Sequence, residues 1–428
     1  MSLGEKAGYY CKSLGKSCAE GILLAANEEY GLGLTQDEVQ LFAGFRTGPG
    51  GALAGAVGVL SRLYRRRADL KELCADFSAL YERESASSAA DGSAAAELAA
   101  RLLEQYISQQ EEPSAAPSEE PADAPLRPED IKRVKGLGFL QHKGTNKFNG
   151  RVITRNGRIT ADEAQAITDA ARHYGDGHLM MTTRLTIEVS GIDYGDIDAF
   201  RADLAEAGLE TGGTGAKVRP VVSCKGTTCQ YGLYDTYALS EEIHQRFYKG
   251  YRDVALPHKF KIAVGGCPNN CVKPNLNDLG IVGARVPGYD PEKCRGCKKC
   301  QLEAACPVHA AQLKNGKLFI DPALCNNCGR CIQKCPFHCN DEGTSGWKVY
   351  VGGRWGKRVA HGQMLRKVFT DREELLDVVE KAILLFRSQG QPGERFADTI
   401  QRIGFDRAQE LLLGEELLRQ KDDILRAR

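Results

Sequence analysis

The sequence predicts an α+β protein preceded by a small all-helical domain. Three observations point there. Within residues 1–84, apolar residues recur at helical spacing, as at Ile22, Leu23, Ala26 and Tyr30 and again at Leu60, Leu63 and Leu70. A stretch rich in Pro, Ala and Glu then breaks the composition. From Ile131 onward, short β-rich runs alternate with helices announced by capping boxes.

The 428 residues are enough for about three domains. With 42% hydrophobic and 26% charged residues, the composition excludes global disorder and the fibrous classes. The formal charge is +1, so no basic excess points to nucleic acid. No apolar run approaches the roughly 18 residues that cross a bilayer, so no membrane span is expected. Met1–Lys16 lack the apolar core of a signal peptide, and the expected location is the cytoplasm. Cysteine is the outlier. Twelve of the sixteen Cys fall between Cys224 and Cys335, a clustering that suits metal binding rather than disulfides.

In the first block, Thr47-Gly-Pro-Gly-Gly-Ala-Leu-Ala-Gly55 has no strand before it and no Lys-Ser/Thr after it. It reads as a close helix–helix approach, not a phosphate cradle. Residues 85–128 read as a linker. Ser85–Asp91 is Ser/Ala-rich, Ala94–Ile107 has the makings of one helix, and Glu111–Pro125 carries four prolines among acids and alanines. Arg151–Ile153 predicts a strand ending at the Asn156-Gly157 turn. Thr160 and Glu163 form a capping box for a helix that runs to about Tyr174 and stops at Gly175. Leu179–Val189 is β-rich and leads to a helix ending near Gly208. Together these make a ferredoxin-like half over 129–215. Val218–Val222 and Phe260–Val264 read as strands, with a helix from roughly Leu239 to Phe247 between them. Thr370 and Glu373 announce a late helix whose apolar stripe is Leu375, Val378, Val379, Ala382, Ile383 and Phe386.

The strongest chemical signal is Cys294-x2-Cys297-x2-Cys300-x5-Cys306-Pro307, followed by Cys325-x2-Cys328-x2-Cys331-x3-Cys335-Pro336. A tight C-x2-C-x2-C loop offers three thiolates at once, and the Cys before Pro ligates the other cluster. One [4Fe–4S] cluster would then take Cys294, Cys297, Cys300 and Cys335; the other, Cys325, Cys328, Cys331 and Cys306. Zinc sites show pairs of Cys rather than such triplets. Two further pairs, Cys224/Cys229 and Cys267/Cys271, fit one more four-thiolate site. Their spacing alone leaves zinc and a third cluster equally open. Upstream, Lys259 and Lys261 share a strand face, either around an anion or as a solvated basic edge.

Phe148-Asn-Gly-Arg151, Asn156-Gly157-Arg158-Ile159-Thr160, Tyr174-Gly175-Asp176-Gly177, Thr182-Thr183-Arg184, Val218-Arg219-Pro220, the Cys224/Cys229 pair, Lys259-Phe260-Lys261 and Gly266-Cys-Pro-Asn-Asn-Cys271 occur in that order. Over about residues 131–415 the chain resembles the siroheme-containing nitrite and sulfite reductases. Within them it is most similar to the catalytic subunit of anaerobic, ferredoxin-bearing sulfite reductases. One departure is the four residues between Cys224 and Cys229, where the family usually has five. The resemblance implies that Cys224, Cys229, Cys267 and Cys271 hold a third [4Fe–4S] cluster, with Cys271 bridging to the siroheme iron. It implies that Arg151, Arg219, Lys259 and Lys261 hold the oxyanion, and that Arg184, Arg155 and Arg158 pair with siroheme carboxylates. Bidentate Arg suits carboxylates and oxyanions, and Lys adds a point charge and a proton.

The implied layout is a siroheme/[4Fe–4S] α/β domain in two parts, 216–290 and 341–390, interrupted by a two-cluster ferredoxin insert at 291–340. Helices follow at 391–428. The implied activity is reduction of sulfite to sulfide; ammonia-forming nitrite reduction and a non-catalytic polyferredoxin-like electron carrier are the alternatives. No flavin or nicotinamide motif is present, since Gly212-Gly-Thr-Gly-Ala216 lacks a strand-then-helix setting. An external ferredoxin or flavoprotein subunit is therefore expected to donate electrons. A single ferredoxin-like half also predicts a homo-oligomer or pairing with a homologous chain. More loosely, residues 1–84 resemble a helical redox-associated family named for a Cys…Gly-Cys-Ala-x-x-Gly…Cys…Cys pattern, through Ser17-Cys18-Ala19-Glu20-Gly21, Gly50–Gly55 and Cys74. Gly50 stands where that family has Cys. Cys11, Cys18, Cys74 and Cys339 remain without an assigned role.

Overall fold

The structure is a computed structural model. It describes residues 1–44, 48–64, 70–86, 92–109 and 126–427; Thr47 and the proline-rich stretch expected at 111–125 lie outside these. The chain divides into two units, Met1–Glu120 and Pro121–Arg428.

The first unit is helical: α1 (Leu3–Leu14), α2 (Cys18–Tyr30), α3 (Gln36–Gln40), α4 (Pro49–Leu63), α5 (Leu70–Ser85) and α6 (Gly92–Gln109). Ser2 with Glu5 and Ser17 with Glu20 close capping boxes that satisfy the first amide donors of α1 and α2. The linker expected to begin at residue 85 is shorter than that. Ala95, Ala96, Ala99, Ala100 and Leu103 of α6 are buried in one core with Leu3, Ile22, Leu60 and Phe77. The alanines of the helix expected at 94–107 form a smooth face on which α1 packs. The glycine-rich run is a helix–helix approach: a Cβ on Gly55 would stand 2.8 Å from the Ala19 Cα and carbonyl oxygen. Gly55→Val should therefore lower unfolding stability by about 1–3 kcal/mol through overpacking, measured as a shifted urea midpoint. In the same unit Cys18 donates to the Gly92 carbonyl at 2.8 Å and accepts from the Gly48 amide at 3.3 Å.

The second unit opens with α7 (Pro128–Gly136), β1 (Phe139–Gln141), β2 (Lys147–Ile153), α8 (Ala161–Tyr174), β3 (Leu179–Met181), β4 (Ile187–Asp193), α9 (Ile197–Glu206) and β5 (Glu210–Thr211). The strands form one antiparallel sheet in the order β1-β2-β4-β3, with β5 also on β2. Thr160 and Glu163 cap α8 as expected. Phe139, Phe148, Val189 and Phe200 are buried in the core beneath that helix pair.

A second sheet contains β6 (Val222–Ser223), β7 (Ile262–Gly265) and β8 (Leu279–Pro287), with α10 (Thr236–Ile243) between β6 and β7. The insert holds α11 (Gln301–Ala305) and the hairpin β9 (Ala311–Lys314) and β10 (Lys317–Ile320); β11 (Gly343–Val351) and β12 (Gln363–Phe369) complete the sheet. Its order is β12-β11-β8-β7-β6, parallel through β6–β7–β8 and antiparallel through β8–β11–β12. Gly343 of β11 pairs with Pro287 of β8, so the cysteine-rich segment leaves and rejoins the sheet at one rung. It is an insertion at the end of a strand pair.

Helices α12 (Arg372–Gln389), α13 (Phe396–Ile403), α14 (Phe405–Leu413), α15 (Glu416–Arg419) and α16 (Lys421–Arg426) cover this sheet. Leu375, Val378, Val379, Ala382, Ile383 and Phe386 are buried as the stripe predicts. The cap itself is one residue later than expected: Asp371, not Thr370, accepts from the Glu374 amide. The strand expected at Val218–Val222 is reduced to Val222–Ser223 plus a bridge from Val218 to Phe260, because Pro220 has no amide to give a ladder. No described helix is long and apolar enough to cross a membrane.

Candidate functional site

The parallel strands β6 and β7 order the chemistry. Cations gather at their N-terminal ends and thiols at their C-terminal ends.

At the N-terminal end, Lys259-Phe260-Lys261 runs extended into β7, held by Arg219 N–H to the Phe260 carbonyl at 2.8 Å. Phe260 is fully buried and its two neighbours are partly exposed, so both ammonium groups leave on the face opposite the core. Arg219 Nη1 donates to the Gly213 carbonyl at 2.6 Å, and Arg151 Nη1 to the same carbonyl at 2.9 Å. Arg151 is anchored on its other side by Glu188, with Nε 2.8 Å from the carboxylate. Gly213 adopts φ +72°, where a Cβ would strike Pro220 at 2.7 Å, so glycine is needed to aim its carbonyl at both arginines. Arg184 bonds inward, to the Asn277 side chain at 3.1 Å and the Pro220 carbonyl at 2.6 Å, while its enclosed Nε lacks a partner among the described residues.

These charges act on one another. Burial, reinforced by Arg184, Arg395 and Lys259, brings Lys261 down to about 8. Lys259 is lowered by burial, then by Arg395 and Arg219. Burial also lowers Arg219, to about 10, with Arg151 adding to it; the guanidinium stays charged at neutral pH. The counter-charge is Asp278, fully buried. Arg395 grips its carboxylate at 2.9 and 3.0 Å, and the Lys261 amide donates to it at 2.9 Å. Burial pushes Asp278 above its ordinary range against the pull of Arg395. Sequence reasoning missed Asp278, Arg395 and the Gly213 carbonyl. The Gly212–Ala216 run is legible as a turn, but its service to two arginines is not.

At the C-terminal ends, Cys224 follows β6 and Cys267 follows β7. The Gly266 amide donates to Cys224 Sγ at 3.1 Å. Burial raises Cys267, and its neighbours Cys224, Cys271 and Cys229 push the same way, so the two pairs share one locality. Glycines keep it open: a Cβ on Gly266 would lie 3.0 Å from the Gly226 Cα and 3.4 Å from Cys224 Sγ. Arg155 and Arg158 sit beside this end, apart from the other cations. Arg155 pairs with Glu163, Arg158 lies 4.7 Å over the Tyr237 ring, and with Thr227 and Asp235 they line a cavity of about 520 Å³.

In the insert, Cys306 of the first run lies near the second triplet, and Cys335 of the second lies near Cys294 of the first. Burial raises Cys331 to about 11, with Cys325, Cys328 and Cys306 acting in the same direction. Cys339, which had no role, donates its thiol to Cys335 Sγ at 3.2 Å, with Cys294 and Cys300 nearby. The Cys325–Cys331 loop is pinned to the sheet through the Arg285 amide to the Asn327 carbonyl at 2.8 Å. Between loop and sheet lies a cavity of about 860 Å³ lined by Cys267, Pro268, Pro307, Cys328 and Arg330. Among the described residues no three Cys, His, Asp or Glu side chains are arranged to share a single metal ion.

On these two parallel strands the cations and the thiols therefore lie at opposite ends. Four residues lie between Arg219 and Cys224 and five between Lys261 and Cys267, so their Cα atoms stand at most about 17–20 Å apart at ~3.3 Å per extended residue.

Comparison with known proteins agrees with this architecture. Residues 214–421 match the nitrite and sulphite reductase 4Fe-4S domain, and residues 140–207 the nitrite/sulfite reductase ferredoxin-like half domain. The chain is 32% identical over 247 residues to the coenzyme F420-dependent sulfite reductase of Methanocaldococcus jannaschii, covering 57% of this chain and 38% of that one. It is 30% identical to an uncharacterized protein of the same organism, covering 60% of this chain and 87% of the other. One of the proteins that make up the anaerobic sulfite reductase of Salmonella typhimurium is 30% identical, over 50% of this chain and 66% of its own. The chain thus spans well under half of the first of these relatives. A crystal structure of dissimilatory sulfite reductase I superposes with a TM-score of 0.50 at 22% identity, over 62% of this chain and 69% of that chain, and shares the fold. With both domains of the family matched in order, over 140–207 and 214–421, the chain belongs to the nitrite and sulphite reductase family of oxidoreductases.

Proposed function

We propose that this chain carries siroheme and three [4Fe–4S] clusters and reduces sulfite to sulfide. The observation that carries the reading is the pairing, on β6 and β7, of a glycine-lined set of four thiols with a group of partly buried cations. The fit is chemical. Four thiols in one locality, with glycines keeping the backbone close and the space open, suit a cluster of several metal atoms. Cys224, Cys229, Cys267 and Cys271 would hold that cluster, and Cys271, which is exposed, would be the thiol that links it to siroheme. Arg155 and Arg158 would pair with siroheme carboxylates; Arg184, committed to Asn277 and backbone carbonyls, would rather hold the strand ends together. When bound, the clusters and siroheme supply electrons and an iron that binds the substrate's central atom.

The chain's own residues supply charge and protons. Arg151 and Arg219, fixed through Gly213, present guanidinium edges to a compact anion. Lys259 and Lys261 hold it and give protons as oxygen leaves as water; a lysine near 8 is a far better donor at neutral pH than one near its ordinary 10.5. Since one chain keeps these cations and its thiols at opposite strand ends, we propose that two copies, or this chain and a homologous one, pair so that the cations of one face Cys271 of the other.

The test is direct. Anaerobically purified protein should show siroheme Soret and red-region bands, about thirteen irons per chain (three clusters of four and one siroheme iron), and turnover of sulfite with reduced viologen. Iron near eight would remove the third cluster. Clusters without siroheme bands would make the chain an electron carrier, and faster turnover of nitrite than sulfite would reassign the substrate.

A further inference from the structure

The insert has an inner and an outer thiol set. The inner set, Cys306, Cys325, Cys328 and Cys331, lies against the sheet, with Cys328 on the cavity it shares with Cys267. The outer set includes Cys294, Cys297 and Cys300, whose loop packs instead on the β9–β10 turn: a Cβ on Gly296 would meet the Gly316 carbonyl at 2.3 Å. That loop, Lys293-Cys-Arg295-Gly-Cys-Lys298-Lys299, carries four cations and no acid, and all four are exposed. Lys293 alone has an acidic neighbour, Asp290 at 3.5 Å; Arg295, Lys298 and Lys299 form no ion pair with a described residue. By contrast Lys317 is spent on structure, donating to the Pro291 and Cys294 carbonyls at 2.8 and 2.9 Å. Beside the same set, Phe337 is 45% exposed, two residues after Cys335.

In a chain of net charge +1, unpaired like charges held together over a redox centre cost self-repulsion unless a partner neutralises them. We propose that the Lys293–Lys299 loop is the docking face for a small, acidic, one-electron iron–sulfur protein. The donor's carboxylates meet Arg295, Lys298 and Lys299, and an apolar contact forms on Phe337. In each encounter the donor cluster loses one electron and the outer cluster of this chain gains it; no bond is made or broken. This rests on the proposed cluster content, not on the identity of the anion reduced.

The experiment mixes the full-length, cluster-loaded protein with a reduced acidic [2Fe–2S] ferredoxin and follows bleaching of this chain's own clusters by stopped flow over a salt series. For the wild type the second-order rate should fall steeply with salt. The variant Arg295→Glu/Lys298→Glu/Lys299→Glu should react about 10–10³-fold more slowly and lose the salt dependence. Its iron content and its reduction by the small dye viologen should be unchanged. If the triple variant loses iron, the neutralised pair Lys298→Gln/Lys299→Gln and the wild-type salt series still decide. A wild-type rate flat with salt, or variant rates equal to wild type with clusters intact, overturns the proposal. So does a loop that binds duplex DNA as tightly as ferredoxin. Absence of sulfite turnover with viologen, by contrast, would count against the proposed activity and leave the docking result standing.

Discussion

Lys261→Met is expected to lower sulfite turnover by about 10²–10⁴-fold, the range for losing a positioned acid, while siroheme bands and iron content persist. Met keeps the length of the stem and removes only the charge and the proton. The wild-type rate should fall as pH rises through about 8, where Lys261 loses its proton, and the variant's residual rate should lack that limb. Stability runs the other way. The folded-state value lies below the ordinary 10.5, so between about 8 and 10.5 the unfolded chain binds more protons and stability rises with pH. Below that window the buried ammonium costs stability, and Lys261→Met should leave the urea midpoint unchanged or raise it. Lost turnover with undiminished stability is the signature of a functional lysine. Near-normal turnover would return Lys259 and Lys261 to a solvated edge. Mixing Lys261→Met with Cys271→Ser chains then tests the shared site. If two copies complement each other, about one quarter of wild-type activity returns on random pairing; within a single chain nothing does.

What could be read from sequence was local, and what could not was tertiary. The Cys294–Cys306 and Cys325–Cys335 runs are legible because each brings three thiols within seven residues, a local spacing that needs no tertiary information. Thr160 with Glu163 closes its box within one turn for the same reason. The cation group was legible residue by residue, through Lys259-x-Lys261 and the family motifs. Its distance from Cys224 and Cys267 was not, since that follows from the shared direction of β6 and β7 and has no local signature. Asp278 and Arg395 are 117 residues apart and meet only because α13 begins over the start of β8. The helix expected at 94–107 is legible as a helix but falls within the expected linker, because alanine offers little hydrophobicity per residue, although several alanines at helical spacing bury completely against α1 and α4. The cap at Asp371 shows the limit on the other side. Thr370 and Asp371 are equally good oxygen acceptors one residue apart, and only the backbone geometry decides between them.

Asp278→Asn should weaken the protein by about 3–5 kcal/mol, because it leaves the Arg395 guanidinium buried without its counter-charge. Both partners are nearly inaccessible, at 0% and 8% side-chain exposure, so water cannot take over. The energetic cost comes from the orphaned charge more than from the pair itself. Taking charge off both sides in Asp278→Asn/Arg395→Met should therefore restore most of the stability in urea, since replacing a buried ion pair by well-packed neutral groups is often close to neutral. Function should not return with it. Asp278 is the carboxylate that faces Arg184, Arg219, Lys259 and Lys261 together, and in each it works against the lowering of the cation's pKa. Without it Lys261 drops below about 8, and the alkaline limb of the sulfite rate moves to lower pH. In the double variant the loss of Arg395, itself one of the cations lowering Lys261, should bring that limb part of the way back. Stability and pH profile thus respond to different members of one network. A double variant that recovered neither stability nor any of the shift would mean that Asp278 and Arg395 shape the backbone at the start of β8 rather than the charge on Lys261.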